Sequence, residues 1–584
     1  MFSVFKKLSW FFKAEWKRYT VAIFCLIIAN ILEILPPMII GLAIDAIFLG
    51  TLTSDRFILY IGLLLGTAIM NYLISYKWQY NLFGGAFVVE KSLRSKLMNH
   101  FLKMTPTFYE KNRTGDLMAR ATNDLKSISE TAGFGILTLI DSTLYMFTII
   151  FAMGILVSWE LTLVSILPLP ILAITMKILG DKIHQYYTVA QDAFGDMNDR
   201  VLESVSGVRV VRAYNQERAE EKLFENMTED VYQKNIKVEK IDGFFFPISR
   251  ITTGMSYCIG LAFGTYLVFQ QKITLGDLVS FNVYLGMLVW PMYAIGELIN
   301  IMQRGNASLD RVQETLDYNE DVPDANIAQM RDQLNNIYFN NYDFQYPQSQ
   351  RKNLQNISLR INKGDTIGIV GKTGSGKTTV IKQLLREYPL GLGELLVSDE
   401  QIDQLKKENI LQKIGYVPQE PFLFSRTIRE NILFGKEDAT EEELQKAIQL
   451  ADFEKDLVML KDGLDTLVGE KGVALSGGQK QRISIARALI KDPELLILDD
   501  ALSAVDGKTE AKIITNLRKE REGKTTIITT HRLSAVENAQ WIIVLEDGKI
   551  IEEGTHKDLL KMNGWYKEQY DRQQMEPVHE EVGS

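Results

Sequence analysis

Residues 366–388 read TIGIVGKTGSGKTTVIKQLLREY, and this stretch decides the fold of the second half of the chain. The apolar run TIGIV at 366–370 predicts a buried strand, and VIKQLLREY at 380–388 predicts a helix. Between them lie Gly371, Lys372, Thr373, Gly374, Ser375, Gly376, Lys377, Thr378 and Thr379, a full G-x-x-x-x-G-K-[ST] pattern. Glycines let the backbone wrap phosphates, and free N–H groups at a helix start hold their charge. Lys377 then reaches the β- and γ-phosphates, and the Thr378 hydroxyl supplies an oxygen to Mg²⁺. The predicted class is an α/β domain with a triphosphate at the end of a strand.

Working outward, a second apolar run at 495–498 (LLIL) ends in Asp499 and Asp500. A strand there puts Asp499 at its carboxyl end, where it can hold the Mg²⁺ shell. Gln419 lies in GYVPQEPFLFS, between the two strands. Further on, Leu475, Ser476, Gly477, Gly478 and Gln479 open the amphipathic run KQRISIARALI, a second helix start suited to phosphate. His531 follows the strand-like TTIITT, where a polar side chain can meet a γ-phosphate.

The first half of the chain has another character. Of 584 residues, 46% are hydrophobic and 23% charged. Residues 1–320 hold 29 Lys and Arg with 30 Asp and Glu, whereas the shorter 321–584 holds 35 and 43. The first segment is too poor in charge for an ordinary soluble domain, and the break predicts domains at 1–320 and 321–584. A net charge of −9 without a basic block argues against nucleic acid as a partner. The two cysteines, Cys25 and Cys258, sit in apolar stretches and allow no disulfide framework or zinc cluster. The basic, aromatic N-terminus reads as a retained amphipathic segment.

A hydrocarbon core about 30 Å thick needs about 20 helical residues. Uncharged runs at 57–76, 142–159, 251–271 and 278–296 meet that length, and 161–176 follows a very short turn at Trp159 and Glu160. A further span, about 19–44, is interrupted by Glu33 and by Pro36 and Pro37. The expectation is six spans. Lys6, Lys7, Lys13, Lys17 and Arg18 place the N-terminus in the cytoplasm, so the C-terminal domain is cytoplasmic too. The inner connections, about 78–132 and 178–243, hold few helix breakers and are read as cytoplasmic extensions of the helices. Glu33 and Asp141 each cost about 2.5–3.5 kcal/mol at a helix centre, so they face a cavity or form structural hydrogen bonds. Phe147, Phe151, Tyr284 and Trp290 read first as packing or lipid-facing residues, then as cavity lining. Sequon matches at Asn112 and Asn356 fall on the cytoplasmic side and are accidental, and the acidic tail 576–584 reads as a solvated terminus.

This motif set resembles an ABC exporter half-transporter over essentially the whole chain: a transmembrane domain fused to one ATP-binding cassette. Tyr346 in FQYP resembles the aromatic that stacks on adenine, and 371–379 the Walker A loop. Asp499 resembles the Walker B aspartate, Gln419 the Q-loop glutamine that reaches Mg²⁺, and 466–472 the X-loop. Residues 475–479 resemble the signature, 503–506 the D-loop and His531 the switch histidine. YEKNRTGDLMAR at 109–120 and SGVRVVRAYNQE at 206–217 resemble the intracellular loops that carry coupling helices. The resemblance implies ATP and Mg²⁺ as cofactors, and two cassettes paired head to tail, each signature closing on the other's nucleotide.

One position departs from that pattern. The family's catalytic base after the Walker B aspartate is Glu, and here it is Asp500. Losing a methylene retracts the carboxylate by about 1 Å, and such a misplacement costs about 10²-fold, or about 2.7 kcal/mol. The chain therefore resembles the degenerate-site half of heterodimeric bacterial multidrug exporters (the LmrC/BmrC type), whose partner supplies Glu. That resemblance implies a hydrophobic or amphiphilic substrate, contact with membrane lipid, and a multi-pass place in the bacterial cell membrane. The other readings are a homodimeric exporter of lipid or peptide and an ATP-gated regulator or channel.

Overall fold

The computed structural model describes residues 3–325, 333–469 and 475–575. Two compact units emerge: Met1–Leu102 with Thr114–Tyr318, and Lys103–Arg113 with Asn319–Ser584. The short segment Lys103–Arg113 thus belongs with the second unit. Residues 470–472 of the X-loop stretch and the acidic tail 576–584 lie outside the described residues.

The first unit is helical. Among the described residues, five helical stretches are long and apolar enough to cross a membrane: Trp16–Phe48, Ser54–Lys103, Thr114–Ile166, Glu217–Phe269 and Leu275–Leu316. The expected count was six. The run 161–176 is not among the five and is shared between helices Trp159–Ile166 and Leu169–Ser206. The division falls at Leu167 and Pro168, with Pro170 just beyond, and proline withholds the N–H that would carry a helix through. The short turn ahead of it is present. Ser158 is extended (φ −167°, ψ 130°), and its hydroxyl accepts from the Leu161 N–H at 3.4 Å. Trp159 then packs back on Phe151, with ring centroids 5.8 Å apart. A Cβ on Gly154 would lie 2.4 Å from the Trp159 ring, so the reversal needs glycine there.

The first span is broken as its sequence suggests. Helix Trp16–Leu32 ends at Glu33, and Leu35–Phe48 restarts with Pro36 and Pro37 in its first turn, where a missing N–H costs nothing. Ser54–Lys103 runs 50 residues, about 75 Å at 1.5 Å per residue, far beyond its apolar part. The inner connections are helical, as expected. Val4 and Phe11 of the N-terminal helices Ser3–Lys7 and Ser9–Ala14, with Leu8 between them, pack in a core with Leu82, Leu97, Ile128 and Val312. Cys25 is buried and Cys258 exposed, both as free thiols.

Among the described residues the second unit has ten strands: β1 (Ile337–Phe344), β2 (Leu354–Ile361), β3 (Thr366–Gly371), β4 (Leu392–Val397), β5 (Glu400–Gln401), β6 (Ile414–Val417), β7 (Leu495–Asp499), β8 (Thr525–Thr530), β9 (Trp541–Glu546) and β10 (Lys549–Gly554). One sheet has the order β2-β1-β4-β5 and is antiparallel. The other has the order β10-β9-β3-β8-β7-β6 and is parallel except for the β9–β10 hairpin. Alternate residues of the parallel strands enter two cores. Ile367, Ile369, Leu495, Ile497 and Ile527 point to one, and Val370, Leu496, Leu498 and Ile528 to the other. Burial on both faces explains why these strands read as continuous apolar runs.

Register then positions the site. Val370 pairs with Thr530, Thr529 with Asp499, and Leu498 with Val417. The carboxyl ends of β3, β8, β7 and β6 therefore line up. Gly371, His531, Asp500 and Gln419 all follow from that one edge, the usual binding edge of an open α/β sheet.

Candidate functional site

At the end of β3 the chain turns through Gly371, Gly374 and Gly376, with φ of 149°, 81° and 108°. These left-handed values suit glycine and let the helix Lys377–Leu384 begin with its N–H groups turned to the loop. Lys377 Nζ donates to the carbonyls of Gly371 and Lys372, each at 2.9 Å, so the ammonium lies over the loop. Burial lowers its affinity for the proton, and the charges of Asp500 and Asp499 oppose that.

Asp499 is 1% exposed. Its Oδ1 accepts from Thr529 Oγ1 at 2.6 Å and from Thr378 Oγ1 at 3.0 Å. Burial raises the carboxyl above its ordinary range, and these two hydrogen bonds act against the rise. No hydrogen bond of full geometry reaches its buried Oδ2, although the Tyr416 phenol lies against the same carboxylate, and Ser375 Oγ is buried without a partner. Leaving such groups unpaired is costly, so both atoms suit a bound cation and phosphate. The donor set fits the ATP and Mg²⁺ expected from the sequence. Thr378 and Asp499 would hold the metal; Gly371, Thr373, Gly374, Ser375, Gly376, Lys377 and Thr379 would hold phosphate.

Asp500 carries a left-handed backbone (φ 47°). One of its oxygens lies 3.0 Å from His531 Nδ1, and the other accepts from Gln419 Nε2 at 3.4 Å. Three residues separated by up to 112 positions in the chain thus meet around one carboxylate. Tyr346, two residues past β1, is half-buried; its hydroxyl donates to Thr379 Oγ1 at 3.1 Å. Its ring meets that of Tyr388 edge-on, 4.8 Å between centroids.

The signature stretch is brought elsewhere. Ser476 caps the helix Gly477–Leu489 by accepting from Gln479 N–H at 3.3 Å, while Gln479 Oε1 accepts from Ser476 N–H at 2.9 Å. Gln479 Nε2 also donates to Asp456, which a buried Arg482 holds with two bonds of 2.8 Å. Among the described residues no hydrogen bond joins 476–479 to the loop 371–379. The D-loop stands between: Ser503 Oγ donates to the Asp500 carbonyl at 2.8 Å, and Ala504 N–H to Gln481 at 3.1 Å.

Sequence reasoning missed Thr529, Asp456 with Arg482, and Tyr388. Tyr388, 2% exposed, donates to Glu110 at 2.5 Å, and Glu110 lies in the helix Pro106–Lys111. Burial and that bond raise the Tyr388 phenol above its ordinary range. Thr105 adds a 3.0 Å bond to Asp321. A path Thr379–Tyr346–Tyr388–Glu110 therefore joins the phosphate loop to that helix. Tyr388→Phe keeps the ring stack and removes the bond. The expected result is ATP turnover within about twofold of wild type and substrate-stimulated turnover reduced severalfold, read by ATPase assay with and without transported dye.

In the first unit, both intramembrane carboxylates are satisfied across helices. Glu33 accepts from Tyr145 at 2.5 Å, and Asp141 from Trp290 Nε1 at 2.9 Å and Asn30 Nδ2 at 3.5 Å. Tyr284 is buried and donates to the Ile34 carbonyl at 2.8 Å, a packing role.

Comparison with known proteins follows this geometry. Residues 19–292 match the ABC transporter transmembrane region, and residues 354–503 match the ABC transporter cassette. The chain is 59% identical over 575 residues to a probable multidrug resistance ABC transporter ATP-binding/permease protein, YheI of Bacillus subtilis (strain 168), covering 98% of both chains. It is 40% identical over 580 residues to the multidrug resistance-like ATP-binding protein MdlA of Escherichia coli (strain K12), covering 98% of this chain and 97% of that one. Among solved structures, a bacterial Atm1-family ABC exporter with ATP bound superposes with a TM-score of 0.79 at 25% identity, over 96% of this chain and 100% of that chain.

Proposed function

This chain belongs to the ABC transporter family, whose cassettes bind ATP with Mg²⁺ and couple its hydrolysis to transport, and from that premise we propose that it is one half of a heterodimeric exporter of hydrophobic or amphiphilic small molecules. Residues 1–320 are the transmembrane domain and 321–584 the nucleotide-binding domain. The reversal at Ser158 supports six spans rather than five, since it divides Thr114–Ile166 into an outgoing and a returning helix. The place of work is the bacterial cell membrane, with both termini and the cassette in the cytoplasm. The relatives named for multidrug resistance support the substrate class.

The observation that carries the asymmetric reading is Asp500. Its short side chain is held by His531 at 3.0 Å and Gln419 at 3.4 Å. A general base must come within hydrogen-bond reach of the water it activates. Asp500 is one methylene short of the usual base and already turned to two neighbours, so this chain's Walker site binds ATP and turns it over poorly. The capped signature Ser476–Gly477–Gly478–Gln479 supports the complementary role of completing the partner's site. The test is to purify the chain alone and together with a half-transporter encoded beside it, in lipid. The pair is expected to hydrolyse ATP at least about 10²-fold faster than the single chain. Brisk turnover by the single chain would favour a homodimer that exports lipid or peptide.

Glu33 and Asp141 set the charge preference in this reading, since among the described residues neither forms an ion pair. Glu33→Gln with Asp141→Asn keeps hydrogen-bonding capacity and removes charge. Transport of cationic dyes should fall about tenfold relative to neutral ones, measured as vesicle uptake. An unchanged cation-to-neutral ratio would reduce both carboxylates to structural hydrogen bonds.

A further inference from the structure

Thr529 sits in the next-to-last position of β8, directly opposite Asp499 in the register, and is 1% exposed. A Val side chain has the same shape and would bury there without a polar atom. A buried hydroxyl is unfavourable unless its hydrogen bonds are made. Here all of them serve one place. Thr529 Oγ1 donates to Asp499 Oδ1 at 2.6 Å and accepts from the Asp500 N–H at 3.1 Å. The Thr529 carbonyl accepts from the same N–H at 2.9 Å.

Two consequences follow for the carboxylates. With Thr378 also donating to Asp499 Oδ1 at 3.0 Å, that oxygen is doubly engaged and the carboxylate cannot rotate freely. Its other oxygen, Oδ2, is buried without a hydrogen bond of full geometry, with the Tyr416 phenol also set against this carboxylate. The bond to the Asp500 N–H meanwhile holds the peptide that carries the left-handed turn (φ 47°) and so sets where the second carboxylate emerges. One hydroxyl thus shares with Thr378 the orienting of Asp499, and with the Thr529 carbonyl the N–H from which Asp500 departs.

We infer that Thr529 is a positioning residue for the cation side of the nucleotide site: it orients Asp499 so that Oδ2 is the oxygen offered to Mg²⁺. The inference rests on the reading of 371–379 and Asp499 as the nucleotide site. Partners of this kind commonly alter metal affinity by about 10–100-fold when removed.

The test uses the full-length chain in lipid nanodiscs and a fluorescent ATP analogue, with binding measured across a Mg²⁺ titration and in EDTA. Thr529→Val should raise the Mg²⁺ concentration for half-maximal binding about tenfold while leaving the affinity in EDTA unchanged. Thr529→Ser should restore the wild-type Mg²⁺ dependence to within about threefold. Unaltered Mg²⁺ dependence in Thr529→Val overturns the inference. So does an equal loss with and without Mg²⁺, which marks a merely structural role, or a failure of Thr529→Ser to restore. Asp499→Asn separates the two levels: if wild type and Asp499→Asn show the same Mg²⁺ dependence, the reading of the site itself fails.

Discussion

Replacing Asp500 by Asn is expected to leave ATP turnover of the assembled two-subunit complex within about threefold of wild type, whereas replacing by Gln the glutamate expected after the Walker B aspartate of the other subunit lowers it about 10²-fold or more. The argument is one of reach. General-base catalysis contributes about 10²–10⁴-fold, and only when the base touches the proton it removes. Asp500 carries the right charge on a shorter arm, and its two oxygens are engaged by His531 and Gln419. On the proposed asymmetric reading, removing its charge removes little catalysis, because this site supplies little. Asp500→Glu lengthens the arm and is expected to change turnover modestly, since the partner's site continues to set the pace. Full activity after the partner's Glu→Gln change, or a large loss with Asp500→Asn, would place the working base in this chain.

Gly477→Asp is the second large effect, and unlike Asp500→Asn it lowers turnover from this chain. If this signature completes the partner's competent site, damaging it should matter more than damaging Asp500. A Cβ on Gly477 would meet nothing closer than the Ala504 Cβ at 3.7 Å, so a side chain there fits the fold. An acidic residue in the first turn also suits the helix Gly477–Leu489, whose N-terminus carries partial positive charge. The variant should fold normally and bring a carboxylate to the surface intended for phosphate. Like charges about 4 Å apart repel by about 4 kcal/mol at an effective dielectric near 20, or about 10³-fold in affinity. Turnover of the complex should fall at least about 10²-fold, with nucleotide binding at this chain's own loop intact. The readouts are steady-state ATPase and nucleotide labelling resolved by subunit. Equal effects of Gly477→Asp and Asp500→Asn would argue for two equivalent sites.

Legibility in the sequence tracked distance along the chain. The loop 371–379 announced itself because strand, glycines, Lys377 and helix are contiguous, so local spacing alone specifies the cradle. Asp499 was readable because LLIL can only be a buried strand in that setting, and its end must lie at the sheet edge. Asp500 stood out as a one-methylene departure from a pattern otherwise met. Thr529 was not readable, since TTIITT predicts a strand without saying which hydroxyl has a partner. Asp456 and Arg482, 26 positions apart, gave no motif to notice. The run 161–176 is apolar enough to be expected as a span, and hydropathy alone does not show that the helix is interrupted at Leu167 and Pro168.

By itself, the sequence determined that the chain joins an apolar helical half to a triphosphate-binding α/β half, and that one carboxylate is short. Hydropathy, proline position and a nine-residue loop are local properties, and the physics that reads them acts over a few turns of chain. Only the tertiary structure decided which residues meet: His531 and Gln419 on Asp500, Thr529 on Asp499, Tyr388 on Glu110, Trp290 on Asp141. Those pairings depend on strand register and helix packing, which bring together groups far apart in sequence, and a buried polar atom shows its need for a partner only when everything around it is in place.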